Sequence, residues 1–182
     1  MNWLNTLFIL VAAFLAVFWE TAFQGVRHVL GAQVDLLPAI MVYAALSSGF
    51  STVCLVAFFA GLCFDSLSAN PLGISILPLF ALGLAVYFWR DLILRDQSFA
   101  QMVLGFGAGI ACPVLSLLLL LTTGRPPQLG WGTVWQLIIM SLGSAIVTPA
   151  FFLLFEWLHK SLSHAPVFET SFRPDREIRR GR

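Results

Sequence analysis

The chain has 182 residues, of which 59% are hydrophobic and only 10% are charged, with a mean hydropathy of +0.89. A soluble domain usually carries roughly 45–50% apolar and about 25% charged residues. The excess cannot be hidden in one small core and must face lipid, which excludes a soluble enzyme, a secreted disulfide scaffold and a nucleic-acid-binding domain. The net charge of +1 hides an uneven distribution. Up to Trp157 the only basic residues are Arg27, Arg90, Arg95 and Arg125, whereas Lys160 and five arginines crowd the last 25 positions. The division implied is a transmembrane helical domain over residues 1–160 and a basic tail over 161–182, expected to be disordered and cytoplasmic.

A helix needs about 20 apolar residues to cross a bilayer. The first candidate span runs from Trp3 to about Phe23. No Lys or Arg precedes it, so it lacks the basic region of a signal peptide and is expected to stay in the mature protein. The apolar stretch Leu36–Phe64 is too long for one span, and Ser47-Ser48-Gly49 breaks it. A brief second helix (about Leu36–Leu46) and a fuller third (about Phe50–Phe64) result. The fourth to sixth spans cover about Leu72–Trp89, Phe99–Leu121 and Trp131–Trp157. The fold expected is an all-α, polytopic transmembrane bundle of about six spans with a short second helix.

Tryptophan prefers the headgroup level, where its body is apolar and its N–H is wet. All six tryptophans (Trp3, Trp19, Trp89, Trp131, Trp135, Trp157) fall near expected span ends. Basic residues mark cytoplasmic flanks, so the tail places the C-terminus in the cytoplasm. Six spans return the N-terminus to the same side, whereas an odd number would move it across.

Pro78, Pro113 and Pro149 sit inside the fourth, fifth and sixth spans as drawn. They imply either curved helices in a compact bundle or a hinge around a cavity. Gly105 and Gly109 form a small-xxx-small pair, as do Ser141 and Ala145, and such spacing lines close helix–helix contacts. Packing within the chain is expected. The three cysteines, Cys54, Cys63 and Cys112, lie in apolar runs without CxxC spacing and read as small lipid- or core-facing residues.

No HExxH or GxSxG occurs, and no catalytic residue, cofactor or metal site is expected. The carboxylates Glu20, Asp35, Asp65 and Glu156 all lie near span ends, where a carboxylate is cheap and its expected work is capping. Asp35, ahead of Leu36-Leu37-Pro38, reads as a helix cap. Asp65 opens a run of turn formers whose backbone its side chain can bond. Glu20 either pairs with Arg27 or faces a groove. In the tail, Arg173, Arg176, Arg179 and Arg180 can contact anionic lipid, bind a cytosolic partner or simply set topology.

The segment from Asp35 to Leu46, followed by Gly61-Leu-Cys-Phe-Asp65 and, five residues on, Pro71-Leu-Gly73, resembles the MreD family of bacterial rod-shape-determining proteins. The likeness in motifs covers about Asp35–Gly73. Val34 stands where the family often has proline, and the tail is longer than expected. The resemblance implies a non-enzymatic scaffold of the cell-elongation machinery in the cytoplasmic (inner) membrane. Its implied partners are MreC first, then MreB, RodA and a class-B penicillin-binding transpeptidase, besides membrane lipid, and no nucleic acid. Asp35, Gly61, Asp65, Pro71 and Gly73 would be the family-motif residues, the last four fixing a turn that shapes a partner surface. The family is also similar in fold to the substrate-binding membrane subunits of energy-coupling-factor vitamin transporters, which makes a small-molecule binding subunit the alternative. Such a subunit needs polar side chains converging on a cavity. The span interiors offer only Ser75, Ser116, Gln136, Ser141, Ser144 and Thr148, which favours the scaffold.

Overall fold

In the computed structural model the described residues are 3–22, 31–32, 34–68, 71–90, 97–122 and 130–162. They form six helices: α1 (Trp3–Ala22), α2 (Leu37–Ser47), α3 (Phe50–Leu67), α4 (Ile76–Trp89), α5 (Ser98–Thr122) and α6 (Trp131–Leu162). The architecture is a helical bundle, and no strand occurs among the described residues. The helices α1, α3, α5 and α6 are long and apolar enough to cross a membrane. The other two are not: α2 has 11 residues and α4 has 14. At about 1.5 Å per residue they reach roughly 16 and 21 Å, short of a hydrocarbon layer of about 30 Å.

The shortness of α2 follows from its position. Every residue from Leu37 to Leu46 is buried, so this helix has no lipid face at all. A helix that is apolar on every side belongs in a core. Here α1, α3, α4, α5 and α6 all pack against it. Tyr43 is stacked on Phe155 of α6 with ring centroids 4.2 Å apart, and meets Phe152 edge-on at 5.0 Å. Around this centre the outer helices turn large apolar side chains outward, among them Phe14, Phe58, Phe106, Ile146 and Leu153. In water such a surface would aggregate; in lipid it is the favourable one.

The shortness of α4 has a different cause. The sequence places this span from about Leu72, but the helix begins at Ile76. The preceding residues form a turn in which Gly73 has φ +96°, a left-handed conformation incompatible with helix and costly for any side chain. Pro78 therefore lies in the first turn rather than inside the span, where its missing N–H costs nothing. Pro113 and Pro149 are inside α5 and α6, as expected.

The longest helices, α5 and α6, lie along each other with almost no gap. A Cβ on Gly109 would stand 2.8 Å from Ser141 Cα, and one on Gly105 would stand 2.6 Å from Ser144 O. Both glycines thus admit a neighbouring backbone, the packing expected of their spacing. The facing register on α6 is Ser141, Ser144 and Thr148, all buried, whereas Ala145 is only half-buried. Ser141 and Thr148 turn their hydroxyls onto their own helix, at Ile138 O (2.9 Å) and Ser144 O (2.7 Å).

Helix direction alternates through the bundle. One end is marked by the starts of α1 and α3 and the finishes of α2 and α4, which meet around Asn5, Thr6, Ser48, Gly49 and Arg90. Asn5 donates to Ser48 Oγ at 3.1 Å, Thr6 and Thr52 share a hydrogen bond of 2.9 Å, and the Arg90 guanidinium lies 4.4 Å over the Tyr87 ring. The finishes of α1, α3 and α5 and the starts of α2, α4 and α6 converge at the other end. The short α2 thus reverses the chain as a full span would. The first residues of α1 and the last of α6 lie at the same end. The exposed tryptophans divide accordingly, with Trp3, Trp89 and Trp157 at that end and Trp19, Trp131 and Trp135 at the other.

Candidate functional site

A cavity of about 760 Å³ opens where α1, α3 and α5 finish and α2, α4 and α6 begin. That is within the range of small-molecule pockets, roughly 300–1,000 Å³. Its walls are mainly apolar, with Leu36, Leu79, Leu117, Leu137 and Met140 among them. Its polar side chains include Glu20, Asp35, Ser75, Ser116 and Gln136.

The two carboxylates are placed by helix-end chemistry. The N–H groups at the start of α2 have no partner within that helix. Asp35 Oδ1 accepts the Leu37 N–H at 2.9 Å, which is the capping expected of it, with Pro38 next in the first turn. Glu20, reaching across from the last turn of α1, accepts the Leu36 N–H through Oε1. Two acidic residues distant in sequence thus cap one buried helix start. The second oxygen of Glu20, Oε2, is shielded from solvent and has no partner among the described residues. Burial pushes the Asp35 carboxyl up to about 6 despite the opposing Leu37 N–H. Glu20 therefore faces the groove, one of its two expected positions. Arg27, its other expected partner, lies outside the described residues.

Beside the cavity lies the turn that joins α3 to α4. Asp65, in the last turn of α3 and 2% exposed, accepts the Gly73 N–H at 2.7 Å and the Ser75 N–H at 3.1 Å through Oδ2. Its other oxygen, Oδ1, is buried without a partner. The positive φ of Gly73 turns that N–H inward. Pro71 O accepts the Ile74 N–H at 3.4 Å, closing the turn. On Gly61, one helical turn before Asp65, a Cβ would stand 2.8 Å from Ile76 Cα, so this glycine admits the start of α4. Gly61, Asp65, Pro71 and Gly73, separate in the sequence, meet in one corner. Ser75 belongs to both places: its N–H is held by Asp65 and the residue lines the cavity.

The structure adds to two expectations. The few polar residues of the span interiors favoured the scaffold, and three of them, Ser75, Ser116 and Gln136, line one cavity together. Ser141, Ser144 and Thr148 do not join them, being spent on the α5–α6 contact. Asp35 was expected as a helix cap, and Glu20 as a partner of Arg27 or a groove residue. Both cap α2 and line the cavity, and one Glu20 oxygen has no partner among the described residues. What hid this was distance: Glu20 and Asp35 are on either side of a loop, and nothing local says which end of which helix each will meet. A pair of acidic residues flanking that loop was the only available signal.

Cys112 is buried and lines the cavity, while Cys54 and Cys63 are half-buried, in keeping with packing roles. Among the described residues no group of three or more metal-ligating side chains occurs. Near the end of α6, Glu156 and Lys160 form an exposed pair at 2.8 Å. The tail residues Arg173, Arg176, Arg179 and Arg180 lie outside the described residues.

The class defined by this fold is a polytopic helical membrane protein with a cavity opening at one end of its bundle. Comparison with protein-family models, with curated proteins and with solved structures found no match.

Proposed function

We propose that the chain is a non-enzymatic scaffold of the bacterial cell-elongation machinery, held in the cytoplasmic membrane with both ends inside. In this reading it supports MreC, and through it MreB, RodA and a class-B penicillin-binding transpeptidase, in lateral peptidoglycan synthesis. The observation that carries the reading is the Asp65 corner. Four of the five residues on which the resemblance to the MreD family rests, Gly61, Asp65, Pro71 and Gly73, come together there through hydrogen bonds and close packing. A rigid corner between two packed helices suits a surface that holds another protein. The α5–α6 pair, locked by backbone contact at Gly105 and Gly109, adds a stiff wall.

The test is co-purification of tagged protein with MreC from a rod-shaped bacterium, together with shape after depletion. Retention of MreC and rounding of depleted cells are expected. Neither occurring would sink the scaffold reading.

The cavity supports a second reading, a membrane subunit that binds a small molecule of vitamin type. Polar side chains do converge there, as that function requires. Retention of a vitamin by the purified protein would favour this reading.

A further inference from the structure

The cavity has a chemical preference that neither reading supplies. Its end nearest the start of α2 carries two carboxyl groups, those of Glu20 and Asp35, and no basic residue is among those lining it within the described chain. One oxygen of each carboxyl accepts a backbone N–H at the start of α2, from Leu36 and Leu37. Those contacts leave Glu20 Oε2 buried and unpartnered beside an open, largely apolar space. A buried acceptor with no donor is costly, and a buried negative charge without a counter-charge more so. An anionic ligand would meet two carboxyl groups and no basic side chain among the described lining residues.

We propose that this cavity binds an organic cation, its ammonium or amidinium group seated against Glu20 and Asp35 and its apolar body against Leu36, Leu117 and Leu137. A cation with two or three N–H donors supplies what the described lining residues lack: a donor for Glu20 Oε2 and a positive charge beside the two carboxyl groups. The apolar walls select against small hydrated ions, which would have to shed water without replacement. The proposal depends on the cavity alone and stands or falls separately from the scaffold reading.

The test uses the full chain in lipid nanodiscs, with the three native cysteines replaced by serine and Ser116→Cys introduced on the cavity wall. Its thiol is modified with a cationic and an anionic methanethiosulfonate of similar size, each rate divided by that of a free thiol in solution. The expected ratio favours the cationic reagent by about tenfold or more, as a nearby charge in a low-dielectric site requires. The probe 4-phenylbutylammonium should slow the modification, and the neutral isostere 4-phenylbutan-1-ol should not. In the double variant Glu20→Gln/Asp35→Asn the preference should disappear, and about tenfold more ammonium probe should be needed for equal protection. Equal protection by the alcohol, no labelling by either reagent, or a charge preference that survives in the double variant would each overturn the proposal. If the double variant does not fold, the ammonium–alcohol comparison with both carboxyls intact decides the matter.

Discussion

Replacing Asp65 by alanine removes the acceptor for two N–H groups at once, those of Gly73 and Ser75. Hydrogen bonds to a charged partner contribute about 1.5–3 kcal/mol each, and an abandoned buried donor costs about 1–3 kcal/mol. The two donors are not equally exposed to loss. Ser75 is buried, so its N–H has little access to water, whereas the half-buried Gly73 N–H can recover part of its loss by hydration. Asp65→Ala should therefore destabilise by about 2–4 kcal/mol. Asp65→Asn keeps a carbonyl acceptor but loses the charge, and should cost about 1–2 kcal/mol. Asparagine fills nearly the same volume as aspartate, so a cavity effect would spare it, and a measurable cost for asparagine reports the weakened acceptor itself. The assay is reversible unfolding in mixed micelles of increasing SDS fraction, followed by circular dichroism. Alanine within about 0.5 kcal/mol of the parent, or asparagine as damaging as alanine, would refute the account of this corner.

The glycines of α5 offer an internal control. Gly109→Ala should destabilise by about 1–3 kcal/mol, since Ser141 Cα and Met140 O cannot step aside, whereas Gly107→Ala, which faces open space, should be neutral in the same unfolding assay. Gly73→Ala should cost about 1–2 kcal/mol from backbone strain alone, because nothing crowds its Cβ position; a silent variant would mean the positive φ is not required. Reporters fused at the two ends of the chain should be active on the same side of the membrane, and in the cytoplasm. Opposite sides would contradict the alternation of the helices. Cys54→Ser should leave unfolding and expression within error of the parent.

How far the sequence reached can be seen element by element. The span limits near Trp3, Phe50, Phe99 and Trp131 agree closely with the helices found, because lipid imposes one simple demand on apolar length. The break at Ser47-Ser48-Gly49 is where α2 ends and α3 begins, since a run of small polar residues favours a cap over continued helix. The start of α4 was misplaced because Leu72 and Ile74 are as apolar as any span residue, and only the conformation of Gly73 keeps them out of the helix. The capping by Asp35 was legible since it involves neighbours, and so was the turn at Asp65. Glu20 was not, because its partner is sixteen positions away on another helix.

The opening composition, 59% apolar and 10% charged, determined the solvent of this protein and hence its helical class. Patterns of one or two turns determined where helices end and which small residues pack, because those depend on local backbone needs. Only the tertiary structure decided that α2 is wholly enclosed, that six short and long helices alternate in direction, and that three helix finishes and three helix starts surround a cavity. It also decided that charged residues scattered near span ends do not all face water. Burial and encounter are properties of the assembled bundle, and an acidic residue at a helix end acquires its neighbours only when the other helices arrive.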